Sequence, residues 1–199
     1  DEAIQKELAD VRQRRLAKNP NAYAGGWAYG RSTESFDGPD SEFYDGAQTD
    51  LALDTLQRLK EKEQPFFLAL GYYRPRLPFV APKKYWDLYD RESFSMPPNS
   101  GRPPRWPEDA AFPKANEMQR YVDYVGDGPK DFPESLNNRL LHGYAAAASF
   151  VDANVGRVLN ALEEKGLAEN TIVVLWGDHG WKLGDHSSWC KHTNFECDT

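Results

Sequence analysis

The run Thr-Ile-Val-Val-Leu-Trp at 171–176 constrains this chain more than any other stretch. Side chains alternate across a strand, and this run is apolar on both faces. Such strands belong to parallel sheets covered by helices on each side. The residues ahead of it agree. Positions 134–165 predict a long helix, with Val151, Val155, Val158 and Leu162 at i, i+4, i+7 and i+11 and Gly166 placed to cap it. A second apolar run of strand length, Pro-Phe-Phe-Leu-Ala-Leu-Gly at 65–71, follows a helical pattern over about 47–63 that turns Leu51, Leu56 and Leu59 inward. Helix, strand, loop, helix, strand is the order of an α/β fold.

The remaining segments are less regular. Residues 1–18 have Ile4, Leu8 and Val11 at helical spacing, and residues 19–46 read as loop. Residues 71–82 hold three prolines, which argues against regular helix or central strand, and 83–90 predict a short helix. Residues 94–133 hold eight prolines and little periodicity, and long irregular segments of that kind often line a cleft. Two apolar strands are few for 199 residues, and the sequence starts on a helix. The expectation is an internal piece of a larger domain.

Composition excludes some functions. A net charge of −7 leaves no obvious face to neutralise a phosphate backbone, so a nucleic-acid partner is not expected. No run of about 18 apolar residues occurs, so no membrane span is expected, and residue 1 sits in a charged stretch unlike a signal peptide. Two cysteines, Cys190 and Cys197, make no disulfide framework; two free thiols is the plainer reading, and a bridge closing a small loop is the alternative.

The chemistry concentrates at 171–196, which holds three of the four histidines. Asp178 and His179 follow the apolar run between Gly177 and Gly180, where glycine permits a sharp bend. In open α/β sheets ligands gather beyond the carboxyl ends of strands. An adjacent carboxylate and imidazole can reach one divalent ion, and on chemistry alone the imidazole favours zinc over calcium. Lys191 adds a positive charge on the same loop. A metal with a lysine suits a tetrahedral oxyanion such as sulfate or phosphate. The plain alternative is that Asp178 caps a turn and His179 makes ordinary hydrogen bonds.

Three segments in order carry a resemblance: Gln-Pro-Phe-Phe-Leu-Ala-Leu-Gly through Tyr-Asp at 64–90, the helix and strand at 144–175, and Gly-Asp-His-Gly-Trp-Lys-Leu-Gly-Asp-His through Glu at 177–196. Together they resemble the sulfatase family of the alkaline phosphatase superfamily, in its iduronate-2-sulfatase branch. The resemblance implies part of a sandwich of helices around a mostly parallel sheet. Residues 1–199 would be a partial catalytic domain, without the N-terminal nucleophile region and the C-terminal subdomain. It implies hydrolysis of sulfate esters on a sulfated sugar or glycosaminoglycan, in a secreted or periplasmic protein. By the same resemblance Asp178 and His179 are metal ligands, and the metal is calcium. Lys191 contacts the sulfate, Trp181 lies near the sugar, and His186 sits by the substrate or supports its loop.

Two departures stand out. The family's Pro-His-x-Pro histidine is here Arg76, in Arg74-Pro75-Arg76-Leu77-Pro78. Arginine binds sulfate bidentately but holds its proton, so it is a poor general acid. The family's formylglycine arises from a Cys/Ser-x-Pro-x-Arg motif, and these 199 residues contain none. The resemblance therefore places the nucleophile, and further metal aspartates, in the remainder of the domain. A phosphodiesterase or phosphonate monoester hydrolase is the second enzyme reading, and an inactive fragment or sulfated-glycan-binding module is the third.

Overall fold

Strand β1, Thr33–Phe36, and strand β2, Phe79–Pro82, pair in parallel, from Thr33 opposite Phe79 to Phe36 opposite Pro82. Parallel neighbours need a crossover connection. Helix α1, Tyr44–Lys62, lies within it, which makes a strand–helix–strand unit. Both strands fall in segments expected to be irregular, and that expectation is corrected. Four residues are too few to show a period. Pro82 is tolerated because it ends a strand in a two-stranded sheet, where every strand is an edge. The short helix α2, Lys83–Trp86, follows as expected. The long helix α3 runs over Glu134–Glu164.

The computed structural model describes residues 30–62, 64–101, 117–124, 132–191 and 193, with four helical positions before them, Lys6, Ala9, Gln13 and Ala17. Ile4, Leu8, Val11, His192 and Cys197 lie outside the described residues, as do 102–116 and 125–131 of the proline-rich stretch. The chain divides into two units. One comprises Thr33–Ser93 and Leu141–Trp176; the other comprises Asp1–Ser32, Phe94–Leu140 and Gly177–Thr199.

In the first unit, α2 and α3 pack around Ala81, Tyr85, Trp86, Ala146 and Phe150, with Phe43 and Ala153 against them. A second cluster joins Leu56 of α1 to Ala161 and Leu162 of α3, with Phe66, Leu68 and Leu167 packed on it. The buried stripe of α1 is Asp45, Thr49, Ala52 and Leu56, so Leu51 faces outward, against expectation. Two polar residues set the phase of that stripe, and a search for leucines misses it. On α3, Ala147, Phe150, Asn154 and Ala161 are buried, while Val151 and Val155 are half-buried beside that seam. Gly166 caps α3 as expected. At φ +68° its N–H donates to Glu163 O at 2.9 Å, and the Leu167 N–H donates to Leu162 O at 2.8 Å. That bond pair is the Schellman motif, completed by Leu167 packing on the cluster of Leu162.

The two apolar runs behave unexpectedly. Neither forms a strand ladder among the described residues. Over 66–70, burial alternates with the period of a strand; Phe66 and Leu68 face inward while Phe67 is 93% exposed. Ile172 through Trp176 are all exposed, Ile172 by 92%. Main-chain groups of a strand are satisfied by a neighbouring strand, and no described residue supplies one here.

Candidate active site

Gly177 opens the segment where the acidic and basic residues gather. The Asp178 carboxylate is 82% exposed, and its Oδ1 accepts the His179 backbone N–H at 3.0 Å. His179 Nδ1 lies 2.8 Å from Gly180 O. A carbonyl only accepts, so Nδ1 carries the proton and the Nε2 lone pair points elsewhere in the neutral ring. Nε2 stands 3.6 Å from Asp178 Oδ2. Two donor atoms so spaced can touch one ion, given ligand bonds of about 2.0–2.6 Å to zinc or calcium. A backbone carbonyl that fixes the ring tautomer is the usual support of a metal-binding histidine. The pair thus fits a divalent metal but cannot enclose one. Among the described residues no group of three or more His, Cys, Asp or Glu converges. Calcium takes about 6–8 oxygen ligands, so most of its shell would come from elsewhere.

Downstream, strands β3, Lys182–Leu183, and β4, Trp189–Cys190, form a small antiparallel hairpin. Its connection is tightly specified. Gly184 has φ +99°, and a Cβ there would lie 2.3 Å from Met96 Cε. His186 and Ser187 also have left-handed φ of 51° and 54°. The loop is tied to Asn99 and Ser100. The His186 N–H donates to Asn99 O at 2.8 Å, and Ser187 Oγ donates to Ser100 O at 2.7 Å. Non-glycine residues hold such conformations only where their surroundings over-determine them. His186 thus supports the loop through its backbone, while its ring is half-buried.

Past the hairpin, the Lys191 side chain is only 8% exposed. Its Nζ sits 4.7 Å from the centroid of the buried Trp181 ring and 3.3 Å from Glu117 Oε2. Lys191 is therefore held by a cation–π contact and a carboxylate, as a buried ammonium requires. Cys190 beside it is a free buried thiol. Burial, chiefly, pushes its pKa up to about 12, and the Glu117 charge adds to this. The thiol is protonated and unreactive at neutral pH.

Residues 9–198 match the sequence pattern of the sulfatase family. This chain belongs to the sulfatase family. Iduronate 2-sulfatase of Mus musculus is 36% identical over 168 residues, covering 82% of this chain and 30% of that protein. The Homo sapiens enzyme is 34% identical over 168 residues, again 82% of this chain and 30% of its own length. The chain thus spans about 30% of these curated relatives. The solved phosphonate monoester hydrolase of Agrobacterium radiobacter superposes with a TM-score of 0.63 at 19% identity, over 97% of this chain and 39% of that one. At that identity the likeness is one of fold alone, an α/β fold.

In this sulfatase-family chain, Asp178, His179, Trp181, His186 and Lys191 belong to one unit, and Arg76 belongs to the other. Sequence reasoning missed Glu117, the partner of Lys191, and Asn99, the anchor of the loop. Both sit in the proline-rich stretch, where no periodicity singles out one carboxylate or amide.

Arg76 is exposed, in a turn where its N–H donates to Tyr73 O at 3.1 Å. The peptide bonds before Pro75 and Pro78 are both cis. Arg74 braces the turn: Nε donates to Val80 O at 3.0 Å, and Nη1 donates to Arg76 O at 3.3 Å.

Proposed function

We propose that this chain is part of a sulfuric ester hydrolase acting on a sulfated sugar of the glycosaminoglycan type; the name of the curated relatives, iduronate 2-sulfatase, supports a sulfated sugar acid. Asp178 Oδ2 and His179 Nε2 would hold part of a calcium site, and Lys191 would bind the sulfate group. Arg76 is proposed as a sulfate-binding arginine from its place in the family's Pro-His-x-Pro motif. A formylglycine and further metal aspartates would come from outside these 199 residues. The formylglycine would supply the nucleophile, and the metal would neutralise charge on the sulfate oxygens. Arg76 keeps its proton, so it would hold a sulfate oxygen rather than protonate the leaving alcohol. Trp181 would act through Lys191, by fixing where the ammonium lies. The sulfated saccharide is the partner, and the protein would be secreted or periplasmic. Among the described residues, no helix is long and apolar enough to cross a membrane.

The observation that carries this reading is the convergence of Asp178 Oδ2 and His179 Nε2 in a sulfatase-family segment. A phosphate-monoester reading is weaker for a physical reason. Glu117 already offsets the charge of Lys191, and a phosphate monoester carries one more negative charge than a sulfate ester. The test is turnover of matched aryl sulfate and aryl phosphate esters by the full polypeptide containing this chain. Sulfate should be preferred at least tenfold, with activity lost on chelation and restored by calcium. A preference for phosphate would overturn the proposal.

A further inference from the structure

One buried charge in the first unit has no part in the metal pair or the sulfate contacts. Asp45 stands in the first turn of α1 and is 2% exposed. A carboxylate is seldom buried so far without partners, because its desolvation must be offset. Its partners are not on its own helix. Oδ1 accepts the backbone N–H of Tyr73 at 2.8 Å, and Oδ2 accepts that of Arg74 at 3.0 Å. Both oxygens are thus spent on two successive amides of the turn that presents Arg76. The helix N-terminus adds favourable partial charge. The clamp is reinforced nearby, where Thr49 Oγ1 donates to Asp45 O at 2.8 Å and lies 3.1 Å from Tyr72 Oη. From the clamp the bonds lead directly to Arg76, through Tyr73 O, which accepts its N–H, and through Arg74, which donates to its carbonyl.

We infer that Asp45 is a positioning residue that fixes the backbone of the Arg76 turn, and so sets where the guanidinium meets a sulfate oxygen. This rests on the proposed role of Arg76. Arginine's two-pronged contact is directional, so a shift of its backbone costs more than it would for a flexible lysine. Displacement by about 1 Å can cost a hundredfold in rate.

The test is a double-mutant cycle of Asp45→Asn and Arg76→Ala in the full polypeptide. It reads kcat/KM on an aryl sulfate, binding of inorganic sulfate by calorimetry, and Tm. Asp45→Asn alone should lower kcat/KM about ten- to a hundredfold and weaken sulfate binding, by more than its fall in Tm explains. In the Arg76→Ala background it should change either quantity by less than about twofold. Equal effects in both backgrounds, or wild-type values in Asp45→Asn, would overturn the positioning role while leaving the sulfatase reading intact. Wild-type turnover in Arg76→Ala would remove Arg76 from the site, and the inference with it. Should Asp45→Asn not fold, Asp45→Glu keeps the charge and displaces the turn, and the same cycle with a smaller loss is expected.

Discussion

Two turns that carry the proposed chemistry are built in opposite ways. The Arg76 turn is held from a distance. A buried carboxylate 28 residues earlier takes two of its amides, and Arg74 braces its far side. Among the described residues, the Asp178-His179 turn is held only locally. Its bonds join neighbouring residues, and its carboxylate stands in solvent. Rigid presentation suits a group that must meet a sulfate oxygen at a set angle. Local support suits a pair that a metal would organise on binding, because the ion supplies the missing constraint. The Lys191 hairpin lies between these extremes, with a loop fixed by Asn99 and Ser100 and a lysine fixed by Glu117 and Trp181.

The largest expected effect probes the open turn. Asp178→Ala in the full polypeptide should cost about a thousandfold in turnover, the scale of losing a principal charge-stabilising group, yet leave the apoprotein Tm unchanged. A large fall in apoprotein Tm would show that the turn is structurally committed and would erase the contrast. Lys191→Ala should lower turnover by about ten- to a hundredfold. Removing Lys191 takes a charged partner from the mostly buried Glu117 and should destabilise the protein by about 1–3 kcal/mol, readable by denaturant titration. An unchanged midpoint would place Lys191 with the open turn.

Gly184→Ala should destabilise by about 1–3 kcal/mol, since a Cβ would meet Met96 at a left-handed φ. Neutral stability there would mean the hairpin loop is free to shift. The smallest effect concerns Cys190. Its thiol should resist alkylation at pH 8 in the folded protein and react on unfolding. Because its folded pKa is raised from 9.0 to about 12, the folded form holds the proton more tightly. Its contribution to stability is full below about pH 9 and is lost as pH rises toward 12. Rapid alkylation of the native state would mean the hairpin opens readily.

The sequence by itself determined the α/β class, the span and cap of α3 and the family, and it singled out Asp178 and His179 as a candidate pair. These are legible because they depend on neighbours in the chain. Helical periodicity needs only side-chain spacing, a cap needs one glycine, and Asp178 with His179 is a contiguous motif. The tertiary structure alone decided the strands β1 and β2, the outward turn of Leu51, and the partners Glu117, Asn99 and Asp45. The apolar runs at 65–71 and 171–176 show the same limit from the other side. Their patterns announce strands, but a strand forms only when a neighbour pairs with its main chain, and none of the described residues does. Helices close their hydrogen bonds within themselves, so a local pattern suffices. Strands, buried ion pairs and long-range clamps close theirs across the fold, so a position such as Asp45 reads as an ordinary first-turn carboxylate until Tyr73 and Arg74 are seen to rest on it.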